Sequence, residues 1–128
     1  MKNYCGTDII EVERIKEAIL NTQSFKEKVF TLSEIEYAES KNDVTKFECY
    51  AGRFAAKEAV YKCISDLYPH VFLNKIEIIN KKENQNRPYV IINDESIQPL
   101  INSGKIFIDV SISHVKEYAI ANATMTIN

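Results

Sequence analysis

Two carboxylates and a group of cations in this chain have the types and spacing to act on a polyanion. Asp8 stands at the end of a strand-like run, two residues after Gly6. Glu58 lies in Phe54-Ala-Ala-Lys57-Glu58-Ala-Val-Tyr-Lys62, with Arg53, Lys57 and Lys62 around it. Ser111-Ile-Ser113-His114 ends a third candidate stretch. Two oxygen-donor carboxylates suit Mg²⁺, which keeps several waters and completes its octahedron with phosphate oxygens. Arg53 would neutralise phosphate by paired contacts, and Lys57 and Lys62 as point charges. Each residue also has a plain reading. Asp8 caps a following helix, Glu58 and Lys62 form an i, i+4 salt bridge, His114 is an exposed turn residue, and Ser113 is a hydroxyl on a strand edge. No nucleophile elbow accompanies the serine and histidine, so they do not make a triad.

The elements that must position these residues follow from periodicity. Tyr4–Ile10 reads as a short strand interrupted by Gly6, and from Val12 a helical pattern places Val12, Ile15, Ala18 and Ile19 on one face. Phe25–Phe30 is short and helical or irregular. Thr31-Leu-Ser-Glu34 is a capping box for a helix running to about Ser40. A long helix is expected from about Val44 to Asp66. On a wheel of about 100° per residue its Ala55, Ala56, Ala59, Val60, Cys63 and Leu67 share one side, and Phe47, Tyr50, Phe54 and Tyr61 another. Two apolar stripes imply cover on two sides, by the chain's own domain and by something else. Gly52 inside this helix costs about 1 kcal/mol relative to alanine and marks a close approach.

Asp66–Asn74 reads as a loop. Lys75–Asn80 and Pro88–Asn93 read as strands on either side of a polar loop at Lys81–Arg87. Asp94–Ser103 fits a short helix capped by Asp94 and stopped by Gly104. Ile106–Ser113 and Tyr118–Ile127 alternate well and form a hairpin whose turn holds His114. The expectation is an α+β fold: a single domain over residues 1–128, with N-terminal helices, one of them long and central, packed on a mostly antiparallel sheet.

The 128 residues, 45% apolar and 27% charged, are enough for one ordinary core. A net charge of −2 gives no global attraction to nucleic acid or to an anionic membrane, so an anion site must be local. Cys5, Cys49 and Cys63 are odd in number and lack a CxxC, and they read as reduced, buried thiols of a cytoplasmic protein. The N-terminus has no apolar core of a signal peptide, and no run approaches the roughly 20 apolar residues of a membrane helix.

Together these residues resemble the phosphopantetheinyl transferases. The two-part signature is Gly6-Thr-Asp8 and, after a long gap, Phe54-Ala-Ala-Lys57-Glu58-Ala-Val-Tyr-Lys62. It is specific because two separated motifs and their spacing must agree. The finer similarity is to the small holo-acyl-carrier-protein synthase type of that family. It is carried by Asp8 through Arg14-Ile15, Phe25 through Thr31 with Glu34, Ile76-Glu-Ile, Arg87-Pro88 and Val110 through His114, in the family's order. The family's Gly-rich loop after the long helix is here Cys-Ile-Ser-Asp-Leu-Tyr-Pro, and its Gly-Lys-Pro is Asn86-Arg87-Pro88.

The resemblance implies transfer of 4′-phosphopantetheine from coenzyme A to a serine of apo acyl carrier protein, leaving adenosine 3′,5′-bisphosphate. It implies Asp8 and Glu58 as Mg²⁺ ligands and Lys62 beside the leaving phosphate. The acceptor of the serine proton stays open between Glu58 and a water. Arg53, Lys57 and His114 are candidates for the coenzyme's 3′-phosphate or pyrophosphate. Arg14, with Lys26 and Lys28, would form a basic edge for the acidic carrier. It implies a homotrimer with active sites shared between neighbours, which would account for the aromatic stripe. Two other readings remain: a non-catalytic binding module, and a small acyl-CoA thioesterase needing no metal.

Overall fold

A computed structural model describes residues 1–80 and 87–128. The expected polar loop at Lys81–Arg87 falls, except for Arg87, outside the described residues. In chain order the elements are β1 (Lys2–Glu11), α1 (Val12–Asn21), α2 (Phe25–Val29), α3 (Leu32–Glu39), α4 (Asp43–Ile64), a 3₁₀ turn at Leu73–Lys75, β2 (Ile76–Asn80), β3 (Pro88–Ile92), α5 (Gln98–Asn102), β4 (Ile106–His114) and β5 (Tyr118–Ile127). The fold is α+β, as expected. Strands β1, β5 and β4 form one antiparallel sheet in that order, and β2 and β3 form a second. Among the described residues no helix is long and apolar enough to cross a membrane.

Helix α4 is the axis of the domain. Its small-residue face, Ala55, Ala56, Ala59, Val60 and Cys63, is buried against residues of both sheets, including Ile76, Ile78, Ile92, Val110, Ala121, Ala123 and Met125. Small side chains here let the helix lie close to the strands, and apolar burial supplies the driving force. The aromatic stripe packs elsewhere. Phe47 and Tyr50 are buried with Val12, Ile15, Phe30 and Ala38, and Phe54 borders that cluster. Phe30 and Tyr50 stack at 5.0 Å between ring centres. Tyr61 instead joins the first core and donates its hydroxyl to Pro69 O at 3.1 Å. Phe47, Tyr50 and Phe54 of the second stripe are therefore covered by α1, α2 and α3 of the same chain. The stripe does not by itself call for a neighbouring subunit.

Several boundaries differ from expectation for identifiable reasons. Helix α4 ends at Ile64, and Leu67 lies beyond it, 47% exposed. The C-terminal turn is narrower, because His114 still pairs with Ala119 in the ladder and Val115 N donates to Tyr118 O. Asp94 heads a local turn, accepting Ser96 N at 2.9 Å, rather than capping α5. Gly104, at φ 80°, does end that segment. Cys5 is exposed on β1, Cys49 half-buried and Cys63 buried, so only the last fits the expected buried thiol.

Strand β1 runs unbroken through Gly6. The glycine is there because α4 passes directly over it: a Cβ at residue 6 would lie 2.1 Å from Ala59 O and 3.0 Å from Lys62 Cβ. Backbone on one side and β-sheet pairing on the other leave nothing to give. Gly6→Ala is therefore expected to lower stability by about 1–3 kcal/mol or more through overpacking. It should also push α4 away from Asp8. Thermal melting and transfer activity measured together would check this, and a variant with native melting temperature and native rate would contradict it. Gly52 also marks a close approach: a Cβ there would sit 3.2 Å from Ile112 Cγ2, so its neighbour is a side chain of β4.

Candidate active site

The closeness enforced at Gly6 brings the first motif to the second. Successive residues of β1 alternate faces, so Gly6 and Asp8 point the same way. Asp8 is paired with Ala121 within the β1–β5 ladder. It does not cap α1, whose N-cap is Glu11 and carries no side-chain cap bond. Lys62 reaches across from α4, its ammonium donating to Thr7 O at 2.8 Å and to Asp8 Oδ1 at 3.4 Å. Lys62 is thus tied to β1, where the simple reading placed it in a salt bridge along its own helix. Glu58 lies one turn before Lys62, and burial, then the charge of Asp8, push its pKa above the usual carboxylate range, while Lys62 opposes them.

The charge of Asp8 acts on Glu58, and a divalent cation held by both carboxylates would offset that repulsion. Among the described residues no group of three or more His, Cys, Asp or Glu could hold a metal ion. Two protein oxygens, with water and phosphate making up the remainder, is the donor set Mg²⁺ favours. The residues therefore fit Mg²⁺.

The raised pKa of Glu58 has a consequence for stability. The folded state holds the Glu58 proton more tightly than the unfolded state. The destabilisation is absent below the unfolded carboxyl pKa, grows as pH rises from the unfolded to the folded pKa, and is fully present above the folded one. Without divalent cation, Glu58→Gln is expected to be more stable than the parent at pH 7. The gap should close near pH 4, around the ordinary glutamate pKa. Melting curves at the two pH values test this. A gap independent of pH, or none at pH 7, would show that the carboxylate is not under this repulsion.

Arg53 is not beside Glu58. On the helix the two are about 140° apart, and Arg53 lines a cleft of about 290 Å³ on another flank of α4, with Tyr37, Lys41, Glu48, Asn80 and His114. Its guanidinium lies over the Tyr37 ring at 4.8 Å and donates to Asn80 Oδ1 at 3.2 Å. Arg53 is 7% exposed, and its Nε has no partner among the described residues. A buried guanidinium with a spare donor suits an anion. His114 lines the same cleft, so two of the three expected coenzyme contacts come together there.

Lys57, the third, is a correction. It is wholly buried, with its ammonium 2.5 Å from Glu34 Oε1 and 2.5 Å from Ile76 O. Burial pushes its pKa down, against the pull of Glu34. A side chain enclosed in this way is not offered to a phosphate. On the carrier-facing candidates, Arg14 and Lys28 are exposed on α1 and α2, whereas Lys26 is half-buried and 3.4 Å from Glu39 Oε2. Sequence reasoning missed Lys41, Glu48 and Asn80 in the cleft and Thr7 O at Lys62. Lys41, Glu48 and Asn80 sit in no motif, Thr7 contributes only its backbone carbonyl, and the fold alone brings them in.

The chain belongs to the 4′-phosphopantetheinyl transferase superfamily, whose family description matches residues 4–123. Among similar proteins, a holo-[acyl-carrier-protein] synthase of Ruminiclostridium cellulolyticum is 43% identical over 129 residues, spanning 99% of this chain and 94% of that one. One from Clostridium acetobutylicum is 38% identical over 122 residues, 95% of each chain. The fold superposes on the ACPS–CoA complex of Chronobacterium ammoniagenes with a TM-score of 0.82 at 25% identity, covering 100% of this chain and 99% of that one. A Bacillus anthracis holo-(acyl-carrier-protein) synthase in complex with CoA (3′,5′-ADP) superposes with a TM-score of 0.76 at 28% identity, covering 98% and 96%.

Proposed function

We propose that this chain is a holo-[acyl-carrier-protein] synthase. It transfers 4′-phosphopantetheine from coenzyme A to a serine hydroxyl of apo acyl carrier protein and releases adenosine 3′,5′-bisphosphate. The observation that carries the reading is the Lys62 ammonium held on Thr7 O and Asp8 Oδ1 where β1 passes beneath α4, with Glu58 one turn before it on the helix. The family and the names of the relatives supply the substrates. Attack on the coenzyme's β-phosphate needs alignment and charge neutralisation more than a protein nucleophile. Asp8 and Glu58 would hold Mg²⁺, which when bound supplies Lewis-acid charge neutralisation at the pyrophosphate. Lys62, fixed by Thr7 O, keeps its ammonium beside those carboxylates, where it stabilises or protonates the departing phosphate.

The nucleotide end of the coenzyme belongs to the cleft of Arg53 and His114. Arg53 and the Lys62 side lie on different flanks of α4, roughly 180° apart on the helix by residue spacing. One coenzyme molecule meets both sets most simply when the cleft of one copy faces the carboxylates of another. This supports a homotrimer with shared sites, and a monomeric mass by light scattering would sink it. Arg14 and Lys28 are exposed cations suited to docking an acidic carrier, and a cytoplasmic location accords with coenzyme A and carrier protein as substrates.

The test is intact-protein mass spectrometry of an apo acyl carrier protein incubated with this chain, coenzyme A and Mg²⁺. The carrier should gain one phosphopantetheine, and a chelator should prevent it. Hydrolysis of acyl-CoA without any change in carrier mass would overturn the transferase reading.

A further inference from the structure

The cleft on the Arg53 flank contains a carboxylate where an anion is to be bound. Glu48, on the second turn of α4, faces His114 at the end of β4, with Oε1 3.2 Å from Nδ1. Their side chains are 18% and 44% exposed. A carboxylate only accepts, so the Nδ1 of His114 carries the hydrogen in this contact, and Nε2 is the nitrogen left over. Lys41, Arg53 and Asn80 line the same cleft. A bare carboxylate among them would repel a phosphate and weaken the site. Glu48 is not bare: it is engaged with the imidazole.

We propose that Glu48 is a positioning residue for His114. It fixes the ring plane and keeps a hydrogen on Nδ1, so that the imidazolium presents its Nε2–H to a phosphate group of the coenzyme's nucleotide. This rests on the reading that the Arg53 and His114 cleft receives that nucleotide. In the bound state the ring bridges two anions through both N–H groups, one to Glu48 Oε1 and one to a phosphate oxygen. The carboxylate that would otherwise oppose the ligand thereby orients a donor toward it. The same contact fastens the C-terminal end of β4 to α4, so binding and hairpin position are coupled at one hydrogen bond.

The experiment compares the parent with Glu48→Ala, Glu48→Gln, His114→Ala and the double variant Glu48→Ala/His114→Ala. KM for coenzyme A and kcat come from the carrier-mass assay, Kd for adenosine 3′,5′-bisphosphate from calorimetry, and folding from thermal melts. Glu48→Ala should raise KM and Kd about tenfold, the scale of one charge-assisted hydrogen bond, with kcat nearly unchanged. Glu48→Gln, whose amide oxygen still accepts from Nδ1, should restore most of the affinity. The double variant should be no weaker than His114→Ala alone, because one residue acts through the other. Unchanged or tighter binding in Glu48→Ala, no rescue by glutamine, or additive losses in the double variant would each overturn the assignment. If His114→Ala itself binds adenosine 3′,5′-bisphosphate like the parent, the nucleotide reading of the cleft fails, and the proposal with it. Weakened His114→Ala beside unaffected Glu48→Ala defeats the positioning role alone.

Discussion

Asn at position 8 is expected to cut phosphopantetheine transfer by about 10³-fold, at unchanged fold and with nucleotide binding largely kept. The size follows from what Asp8 does. On the proposed reading it is one of two carboxylates that would hold a divalent cation, and charge neutralisation at phosphate is worth several kcal/mol in transition-state energy, each 1.36 kcal/mol being tenfold in rate. Asp8 also holds the Lys62 ammonium at 3.4 Å, so the substitution loosens the second cation of the site as well. Asparagine keeps the shape and leaves Thr7 O as the anchor of Lys62. The contacts in the Arg53 cleft lie on the other flank of the helix and are untouched. Adenosine 3′,5′-bisphosphate should therefore bind within a few-fold of the parent while kcat collapses. Glu58→Ala should behave alike, and the double variant should lose little more, because both act through one ion. Equal activity of Asp8→Asn and the parent in the carrier-mass assay would remove these carboxylates from the mechanism.

The sequence was most readable where the cause of structure is local. The Thr31 and Glu34 capping box needs only four residues, and both of its reciprocal bonds are present. Alternation in Tyr118–Ile127 is a property of one strand, and β5 has those bounds. Asp8, Glu58 and Lys62 are singled out by the resemblance of their two motifs to a family signature, and the contact of Lys62 with Asp8 is supplied by the fold. Misreadings share another origin. Gly6 reads as a break in the strand, since nothing in its neighbourhood reveals that Ala59 O of a helix far along the chain lies above it. The aromatic stripe was assigned to another molecule, because a helical wheel shows that a face is covered but not by what. Arg53 and Glu58 share a short motif, yet their helical angles place them in different clefts. Lys57 is the sharpest case. A lysine in a cationic motif looks like a phosphate ligand until Glu34, from a separate helix, is seen against it.

Lys57→Met should accordingly read out as a loss of fold rather than a loss of coenzyme. The ammonium, Glu34 and Ile76 O meet with no solvent around them, and Glu34 also accepts Thr31 N at 2.9 Å and Ile78 N at 2.8 Å. One buried carboxylate thus fastens the start of α3, the middle of α4 and strand β2 together. Methionine matches the length of the side chain but leaves that carboxylate without its counter-ion. Breaking a buried pair by removing one partner costs about 3–5 kcal/mol, a large share of the roughly 5–15 kcal/mol that holds a domain together. The melting temperature should fall by on the order of 10 °C. Adding Glu34→Gln removes the stranded charge while keeping an oxygen for the Thr31 and Ile78 amides, and should recover about 1 kcal/mol or more through coupling of the two sites. The folded fraction of Lys57→Met should retain the parent's KM for coenzyme A. The opposite pattern, native melting with a raised KM, would return Lys57 to the phosphate site and would require its side chain to leave the core. The geometry argues against this, because leaving would strand Glu34 inside the protein and free the Ile76 carbonyl, two unsatisfied groups in place of one satisfied hub.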